Sequence, residues 1–443
     1  MREITVTDLR HVHPLPPERL LRAEADLSSY LEKARRIVQA VKERGDASLL
    51  EFAKEFDKVF NPTFSLRVEP AELDAALNSV SSEVVDSIRY AAESIRRFHE
   101  FQRPEAFSLK EIRPGAFAGD RFIPIDAVAC YVPRGKGSFP SVLLMTTIPA
   151  RVAGVPRIVV ITPPGPDGTV DPGTLVAARI VGIEDVYKCG GAQGVAAVAF
   201  GTETVPRCDK IVGPGSSWVV AAKRLLRDVI DPGLSAGPSE CLILADDTAD
   251  GRIAALDLTI ESEHGPDSSA YLVTHSLDVA QAAAQALPRF WSKMGAQRAE
   301  FSQTVLCGPR GGILLVRDLA TAIDFVNDYA PEHLEILTTD PMAILGRIRH
   351  AGEVLLGSYT PVTLGNFVLG PNAVLPTGRS ARTSSALSVH DFVKRSSVGY
   401  VTAAGYAELA HHAEVLARYE GFEGHANAVS DLRTALLSTR TSQ

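Results

Sequence analysis

The chain has 443 residues, of which 45% are hydrophobic and 22% are charged, and its net charge is −8. A single hydrophobic core stops growing at roughly 250–300 residues, so two or more domains are expected. The negative charge argues against a nucleic-acid partner, and no apolar run approaches the roughly 20 residues that a membrane span requires.

The predicted elements start with an arm, residues 1–27, in which three prolines discourage regular structure. Residues 1–8 contain nothing like the apolar core of a signal peptide, so a cytoplasmic protein is expected. From there to about residue 103, apolar positions recur every three or four residues with charges between them, which is typical of helices.

Further along, the apolar pattern changes to short runs that end at Pro or Gly, separated by stretches rich in small residues. Such runs predict buried parallel strands that alternate with helices. They form two successive blocks: 127–132, 157–162 and 210–212, then 241–245, 270–274, 312–316 and 335–337.

The predicted fold class is therefore α/β, with two Rossmann-like open parallel-sheet domains, a helical N-terminal region and a helical C-terminal tail. The predicted domains are an arm (1–27), a catalytic α/β domain (28–130 with 238–386), a dinucleotide-binding α/β domain (131–237) and the helical tail (387–443).

The five cysteines are scattered and show no CxxC spacing. This pattern predicts neither a disulfide framework nor a thiolate zinc site. Cys130 and Cys241 stand in apolar, strand-like contexts, so buried structural thiols are expected there.

Three glycine-rich turns follow strands of the first block, at 133–137, 190–194 and 213–217. Glycine lets backbone N–H groups approach a phosphate, and ligands of open α/β sheets bind beyond the carboxyl ends of the strands. The GxGxxG fingerprint of dinucleotide sites is missing, and a single such turn more often just links a strand to a helix.

Glu332 and His333 place a carboxylate beside an imidazole directly after Pro331. The proline restricts the backbone at this point, and acid and base groups with different pKa values suit a reaction with two proton transfers. Taken alone, such a pair is more often a solvated cap at a helix start.

Glu261 and His264 are three residues apart on a helix predicted to begin near Asp250, so both side chains lie on one face. Taken alone, this spacing favours a surface helix with scattered charges. With Asn366 and His425, the pair would offer the oxygen and nitrogen donors that suit zinc, although spacing alone does not assemble this set.

Ordered motifs along the chain resemble those of the histidinol dehydrogenase family. The resemblance includes the glycine-rich turns and runs from about residue 30 to residue 435, with the motifs at 236–240, 263–267, 329–335, 375–377 and 387–392. It implies a homodimeric enzyme that uses NAD and zinc to oxidise a primary alcohol to a carboxylate through an aldehyde.

The resemblance also implies roles for individual residues. Glu332 and His333 match the catalytic pair: His333 would take the alcohol proton, and Glu332 would activate the water that attacks the aldehyde. Glu261, His264, Asn366 and His425 match metal and substrate ligands, and Ser239, His333 and Glu420 match further substrate contacts. Tyr131, Gln193 and Ser216 match cofactor contacts, and the tail with Glu420 and His425 would reach the site of the dimer partner.

Five positions depart from the family pattern that the resemblance implies. Glu261 and Asn366 stand where Gln and Asp are usual, which exchanges a carboxylate and an amide and predicts that zinc is retained. Ala373 replaces a substrate-contacting His, Ser216 replaces Asn, and Arg134 replaces Gly. The changes predict a different alcohol, small and polar or anionic, such as sulfopropanediol, whose charge would suit Arg134 or Lys136.

Three other interpretations remain open. Histidinol itself is the alternative substrate within the same enzyme class. A catalytically idle relative that binds a metabolite is a second alternative, and a structural zinc protein is a third. Retention of both catalytic residues argues against the second, and the open ligand set argues against the third.

Overall fold

The structure is a computed structural model that describes residues 4–12, 22, 27–135, 137–234 and 237–440. Its strands are β1 (Val6–Asp8), β2 (Phe107–Arg113), β3 (Ala116–Pro124), β4 (Ala127–Tyr131), β5 (Arg157–Ile161), β6 (Val186–Tyr187), β7 (Lys210–Val212), β8 (Glu240–Ala245), β9 (Ser269–Thr274), β10 (Gly311–Leu315), β11 (His333–Leu337), β12 (Glu353–Leu356) and β13 (Val393–Val401).

Helices and two 3₁₀ turns are the other elements of the described ranges. They are α1 (Ser28–Arg44), α2 (Asp46–Glu55), α3 (Pro70–Ala76), α4 (Ser82–Phe101), α5 (Pro140–Ala153), α6 (Pro172–Val181), α7 (Gly191–Phe200), α8 (Ser217–Leu225), α9 (Gly251–Ser262), α10 (Leu277–Trp291), α11 (Ala296–Leu306), α12 (Leu319–Tyr329), α13 (Pro341–Leu345), α14 (Val362–Phe367), α15 (Ala403–Tyr419), α16 (Glu423–Asn427) and α17 (Asp431–Arg440), with 3₁₀ turns at Ser380–Arg382 and Val389–Phe392. None of these helices is both long and apolar enough to cross a membrane.

The chain forms two compact units. The first comprises Met1–Arg103 and Ile125–Phe392, and the second comprises Pro104–Pro124 and Val393–Gln443. Both parallel sheets lie in the first unit, so the compact units follow other boundaries than the predicted domains. The predicted division into a catalytic and a dinucleotide-binding domain stays a prediction.

The larger sheet of the first unit has six parallel strands in the order β1-β10-β9-β8-β11-β12. Strands β8, β9 and β11 are buried along their whole length. Alternate residues of β8 therefore serve two cores: Cys241 and Ile243 pack in one hydrophobic cluster, and Leu242 and Leu244 pack in another. Strands buried on both faces explain the unbroken apolar runs in the sequence.

The smaller sheet has four parallel strands in the order β6-β5-β4-β7. Helix α7, made mostly of Ala, Val and Gly, is buried along nearly its whole length. Small side chains of this kind let a helix pack closely against a sheet. The two parallel sheets and their helices confirm the predicted fold class.

The second unit contains the antiparallel sheet β13-β3-β2 and the helices α15, α16 and α17. The helices confirm the predicted C-terminal tail, but the sequence analysis missed all three strands. Strand β13 is mostly exposed, so its sequence lacks the apolar alternation that reveals a half-buried strand.

Strand β1 was also missed, because a strand of three residues within the predicted arm gives no periodic signal. The cysteine prediction is confirmed: Cys130 and Cys241 are completely buried and are free thiols. Burial raises the pKa of Cys130 to about 12, which makes this thiol inert.

Candidate active site

A cavity of about 1760 Å³ lies in the first unit. One side of it is lined by the three glycine-rich turns, which follow β4, β6 and β7 at the carboxyl edge of the four-stranded sheet. Another part of the lining consists of acidic and basic side chains at the amino edge of the six-stranded sheet, where β8 and β11 begin. We call these two linings the turn wall (133–134, 191–193 and 214–217) and the acid–base wall (Ser239, Glu240, Glu261, His264, Glu332, His333 and Asn366).

The turn wall contains the first turns of two helices. Helix α7 begins at Gly191, and α8 begins directly after Ser216. Helix N-termini present unpaired backbone N–H groups and a partial positive charge, which suit the phosphates of a dinucleotide.

The predicted cofactor residues Tyr131, Gln193 and Ser216 all line this part of the cavity. The Tyr131 hydroxyl accepts a hydrogen bond from the Gly191 N–H at 3.0 Å, which fixes the end of β4 against the start of α7. Gly213 has φ +107°, and a Cβ there would run into the carbonyl oxygen of Tyr131. The close passage of these two chain segments therefore requires glycine.

The acid–base wall holds Glu332 and His333 at the start of β11. Helix α12 ends at Tyr329, and Ala330 takes the left-handed conformation (φ +53°) before Pro331. The chain then enters the sheet rather than a helix, so the side chains of Glu332 and His333 are only 7% and 3% exposed. They are a buried pair and not a solvated cap.

Neighbouring strand starts hold both side chains in place. Glu332 Oε2 accepts a hydrogen bond from the Glu240 N–H at 2.8 Å. His333 Nδ1 lies 3.0 Å from Glu353 Oε2, and Glu353 stands beside His333 in the register of β11 and β12. Because a carboxylate only accepts, Nδ1 donates, and Nε2 is the nitrogen that accepts when the imidazole is neutral.

Burial and charge shift the pKa values of this pair. Burial raises the pKa of Glu332 to about 8, against the opposing charge of His333. Burial alone would lower the pKa of His333, but the hydrogen bond to Glu353 and the charges of Glu261, Glu332 and Glu353 together raise it to about 9. The carboxylates around His333 thus stabilise an imidazolium.

Glu261 is the centre of the predicted metal set. It lies near the end of α9 and is 2% exposed. Its Oε1 accepts a hydrogen bond from Asn366 Nδ2 at 2.8 Å, and its Oε2 lies 3.3 Å from His264 Nδ1. Burial opposes ionisation of Glu261, but the charges of His264 and His333 and hydrogen bonds from Asn366 and Ser239 outweigh it, so its pKa is lowered.

The helix prediction for this motif needs a small correction. Helix α9 begins at Gly251 with Asp250 as its N-cap, as predicted, but it ends at Ser262, before His264. A turn from the His264 N–H to the Glu261 carbonyl at 3.3 Å keeps the two side chains together.

The residues in the first unit fit a divalent cation only in part. His264 Nδ1 lies 3.2 Å from the Ile260 carbonyl, which leaves Nε2 for a ligand, and Glu261 and Asn366 add oxygen donors. In the described ranges, no three His, Cys, Asp or Glu side chains form a metal site. The amide of Asn366 is outside that group of residue types, and a fourth ligand is needed for a tetrahedral zinc site.

The other two predicted site residues lie in the second unit. Glu420 follows α15 directly, and His425 lies in α16; both are exposed. The first unit therefore brings together Ser239, Glu261, His264, Glu332, His333 and Asn366, whereas the roles of Glu420 and His425 stay predictions.

Two carboxylates of the site, Glu353 and Glu240, were not predicted from the sequence. Both carboxylate oxygens of Glu240 accept from Arg22 Nη1, at 2.8 and 2.9 Å, and the two side chains are only 4% and 10% exposed. Each glutamate is the first residue of an apolar strand. A charged residue directly before a buried apolar run could have identified it as a candidate site residue. Nothing in their spacing linked them to His333.

One lining of the cavity suits a dinucleotide, and the other contains buried acid and base groups. Together with the α/β fold, these two linings are typical of dinucleotide-dependent enzymes. The chain belongs to the histidinol dehydrogenase family, since the family model described as "Histidinol dehydrogenase" matches residues 20–433. This match confirms the resemblance found in the sequence, and the family is one of NAD-dependent oxidoreductases.

Similar proteins include one that is called a homologue of that enzyme and one that carries its name. "Histidinol dehydrogenase homolog 2" of Mesorhizobium japonicum is 61% identical and is matched over 99% of this chain and 100% of its own length. "Histidinol dehydrogenase" of Synechocystis is 46% identical over 97% and 99%. The crystal structure of histidinol dehydrogenase from Elizabethkingia anophelis has a TM-score of 0.91 at 30% identity, covering 98% of this chain and 99% of that one.

Proposed function

We propose that this protein oxidises a primary alcohol to a carboxylate through an aldehyde, with two NAD and a divalent zinc ion. The arrangement of Glu332 and His333 supports the proposal most directly, because one cavity contains two buried proton-accepting groups that are held by different neighbours. The overall reaction consumes the alcohol, one water and two NAD, and it yields the carboxylate, two NADH and three protons.

His333 serves the first oxidation. Its Nδ1 is held by Glu353, so Nε2 of the neutral imidazole takes the proton of the alcohol hydroxyl while a hydride leaves the carbon. Because the pKa of His333 is about 9, the neutral form and the rate of this step should increase as the pH rises towards 9. The surrounding carboxylates stabilise the imidazolium that results, and burial keeps bulk water away from the reacting atoms.

Glu332 serves the second stage. Its Oε2 is held by the Glu240 N–H, which leaves Oε1 to take a proton from the water that attacks the aldehyde. The hydrate then loses a second hydride and becomes the carboxylate. Two bases are useful because the two protons leave different atoms at different moments.

Glu261, His264 and Asn366 would hold the zinc ion, with His425 as the fourth ligand. When bound, zinc would polarise the substrate oxygen, and the nicotinamide would accept the hydride. Removal of metal with a chelator should abolish turnover and added zinc should restore it. A fully active, metal-free preparation would contradict this part of the proposal.

The preferred substrate is proposed to be a small polar or anionic alcohol, such as sulfopropanediol. Ala373 supports this choice, because it lines the cavity with a methyl group and leaves space beside the acid–base wall. Arg134, which was predicted to suit the anion, lies on the turn wall and interacts with the charges of Asp57 and Asp167. Lys136 lies outside the described residues.

Histidinol is the second candidate substrate, favoured by the 46% identity to the histidinol dehydrogenase of Synechocystis. The decisive experiment measures NADH production with a panel of primary alcohols that includes histidinol and sulfopropanediol. Turnover of histidinol without turnover of sulfopropanediol would reverse the order of the two candidates. A ratio of one NADH per alcohol would contradict the two-step oxidation.

A catalytically idle, metabolite-binding relative remains the alternative from another class. It predicts no NADH with any alcohol while NAD still binds. The buried and hydrogen-bonded state of Glu332 and His333 supports the enzyme instead, because a protein that only binds has no use for two buried bases.

The proposal includes a homodimer in which Glu420 and His425 serve the site of the partner subunit. Mixing His333→Ala subunits with His425→Ala subunits tests this arrangement. Neither variant alone should be active, but hybrid dimers should regain part of the activity, because one of their two sites is then intact. Hybrids without activity would assign His425 to the site of its own subunit.

A further inference from the structure

Arg379 lies in the part of the cavity lining that joins the acid–base wall to the segment 373–380. The Gly378 N–H donates to Glu240 Oε1 at 2.9 Å, and the Glu240 N–H donates to Glu332 Oε2 at 2.8 Å. Two hydrogen bonds therefore connect the residue next to Arg379 with the catalytic carboxylate. This connection places Arg379 on the substrate side of the cavity rather than on the turn wall.

The backbone of Arg379 is in a conformation that suits glycine. It has φ +69° and ψ 6°, and Gly378 before it has φ +63°. A residue with a Cβ is disfavoured there, and non-glycine residues in this region cluster at functional sites. The cavity lining thus carries a long cationic side chain at a position where glycine would be more stable.

The charge of Arg379 is unmatched, unlike that of the other arginines of the cavity. Arg22 forms an ion pair with Glu240, and Arg134 interacts with Asp57 and Asp167. Within the described ranges, the exposed guanidinium of Arg379 has neither an ion pair nor a hydrogen bond. It is available to a ligand.

The remaining charges at the acid–base wall are anionic or already neutralised. Glu261 lies between His264 and His333, and Glu240 is neutralised by Arg22. The zinc ion proposed at Glu261, His264 and Asn366 would serve the hydroxyl end of the substrate. The anionic end therefore needs a second cation, which none of these pairs supplies. Ala373, on the same segment, leaves room for such a substrate.

We infer that Arg379 binds the anionic head group, a sulfonate or carboxylate, of the alcohol that this enzyme oxidises, and so determines its substrate class. The inference rests on the proposed function. A planar guanidinium can donate two parallel hydrogen bonds to such a group, which fixes the far end of the substrate while its hydroxyl faces His333.

The test compares the wild type with Arg379→Gly and Arg379→Lys, using sulfopropanediol and propane-1,2-diol, which lacks only the sulfonate. Arg379→Gly should lower kcat/KM for sulfopropanediol by about 10–100-fold, mainly through KM, since a hydrogen bond to a charged group has this value. Turnover of propane-1,2-diol and the KM for NAD should not change. Arg379→Lys should recover part of the loss, because it keeps the charge but not the planar fork.

Arg227→Gly is the matched control, since Arg227 is an exposed arginine that is not among the residues lining the cavity. It should leave both substrates unaffected. Arg379→Gly should unfold at no lower a temperature than the wild type, because glycine accepts the left-handed conformation.

Equal losses for both diols, or a raised KM for NAD in place of that for the alcohol, would overturn the assignment of Arg379. A wild type that oxidises no alcohol would instead refute the proposed function. In that case calorimetric titration with sulfopropanediol still tests the inference, which requires binding by the wild type and weaker binding by Arg379→Gly. Oxidation of histidinol alone would refute the substrate class and leave the family chemistry intact.

Discussion

The turn wall and the acid–base wall are built by opposite edges of two parallel sheets, and they differ in what recognises the ligand. The turn wall, at the carboxyl edge of the four-stranded sheet, offers backbone N–H groups at the starts of α7 and α8. The acid–base wall, at the amino edge of the six-stranded sheet, offers side chains that are fixed by neighbouring strand starts. Recognition by backbone N–H groups tolerates side-chain changes, whereas the chemistry of the acid–base wall depends on particular side-chain atoms.

The largest expected effect follows from changing His333. His333→Ala should reduce kcat for alcohol oxidation by about 10²–10⁴-fold, the usual contribution of a general base. Glu332→Ala should slow oxidation of the aldehyde more than that of the alcohol. Stopped-flow measurement of NADH formation with each starting substrate separates the two stages.

The affinity for NAD serves as the control for both variants, since neither residue belongs to the turn wall. A comparable loss of NAD binding would show that the two walls do not act independently. If Glu332→Ala slowed both stages equally, the division of labour between Glu332 and His333 would be wrong.

A smaller effect is expected from Glu353→Gln, which keeps the shape of the side chain and removes the charge beside His333 Nδ1. Loss of a group that orients a catalytic residue typically reduces activity by about 10–100-fold. We expect this loss in kcat with little change in KM and an unchanged unfolding temperature. A rise in KM with constant kcat would make Glu353 a substrate contact rather than a positioning residue.

The turn wall should show a weaker dependence on any one side chain. Gln193 is 5% exposed and lines the cavity at the start of α7. Gln193→Ala should raise the dissociation constant of NAD by about 10-fold, the value of one hydrogen bond. Fluorescence titration measures it, and kcat at saturating NAD should hardly change; a collapse of kcat would place Gln193 among the reacting groups.

The last effect concerns stability behind the acid–base wall rather than activity. Glu335 on β11 is completely buried, and burial together with the charge of Asp257 raises its pKa to about 10. Because this pKa is raised, its stabilising effect is complete below the ordinary pKa of a glutamate and declines as the pH rises towards 10. The free energy of unfolding should fall by at most about 1.4 kcal/mol per pH unit from this group.

Glu335→Gln should therefore make the free energy of unfolding depend less on pH between 6 and 9. Urea unfolding at both pH values measures the difference. An unchanged slope would mean that Glu335 titrates normally in the folded protein. No comparable carboxylate pair is found in the four-stranded sheet among the described residues, so the effect distinguishes the two sheets.

The sequence by itself determined the elements that have a strong local signal. The apolar runs of β4, β8 and β9 identified buried parallel strands, and the glycine-rich turns marked the carboxyl edge of the smaller sheet. Asp250 correctly marked the start of α9. The ordered motifs determined the family, which the match over residues 20–433 confirms.

Only the tertiary structure decided which groups surround His333. Glu353 meets His333, and Glu240 meets the neighbouring Glu332, because β8, β11 and β12 are neighbours with their amino ends in register. The left-handed backbone of Arg379 is equally invisible in a sequence that reads as an ordinary loop. Local patterns report the burial of single elements, but strand order and register bring distant charges together, and these charges set the chemistry of the site.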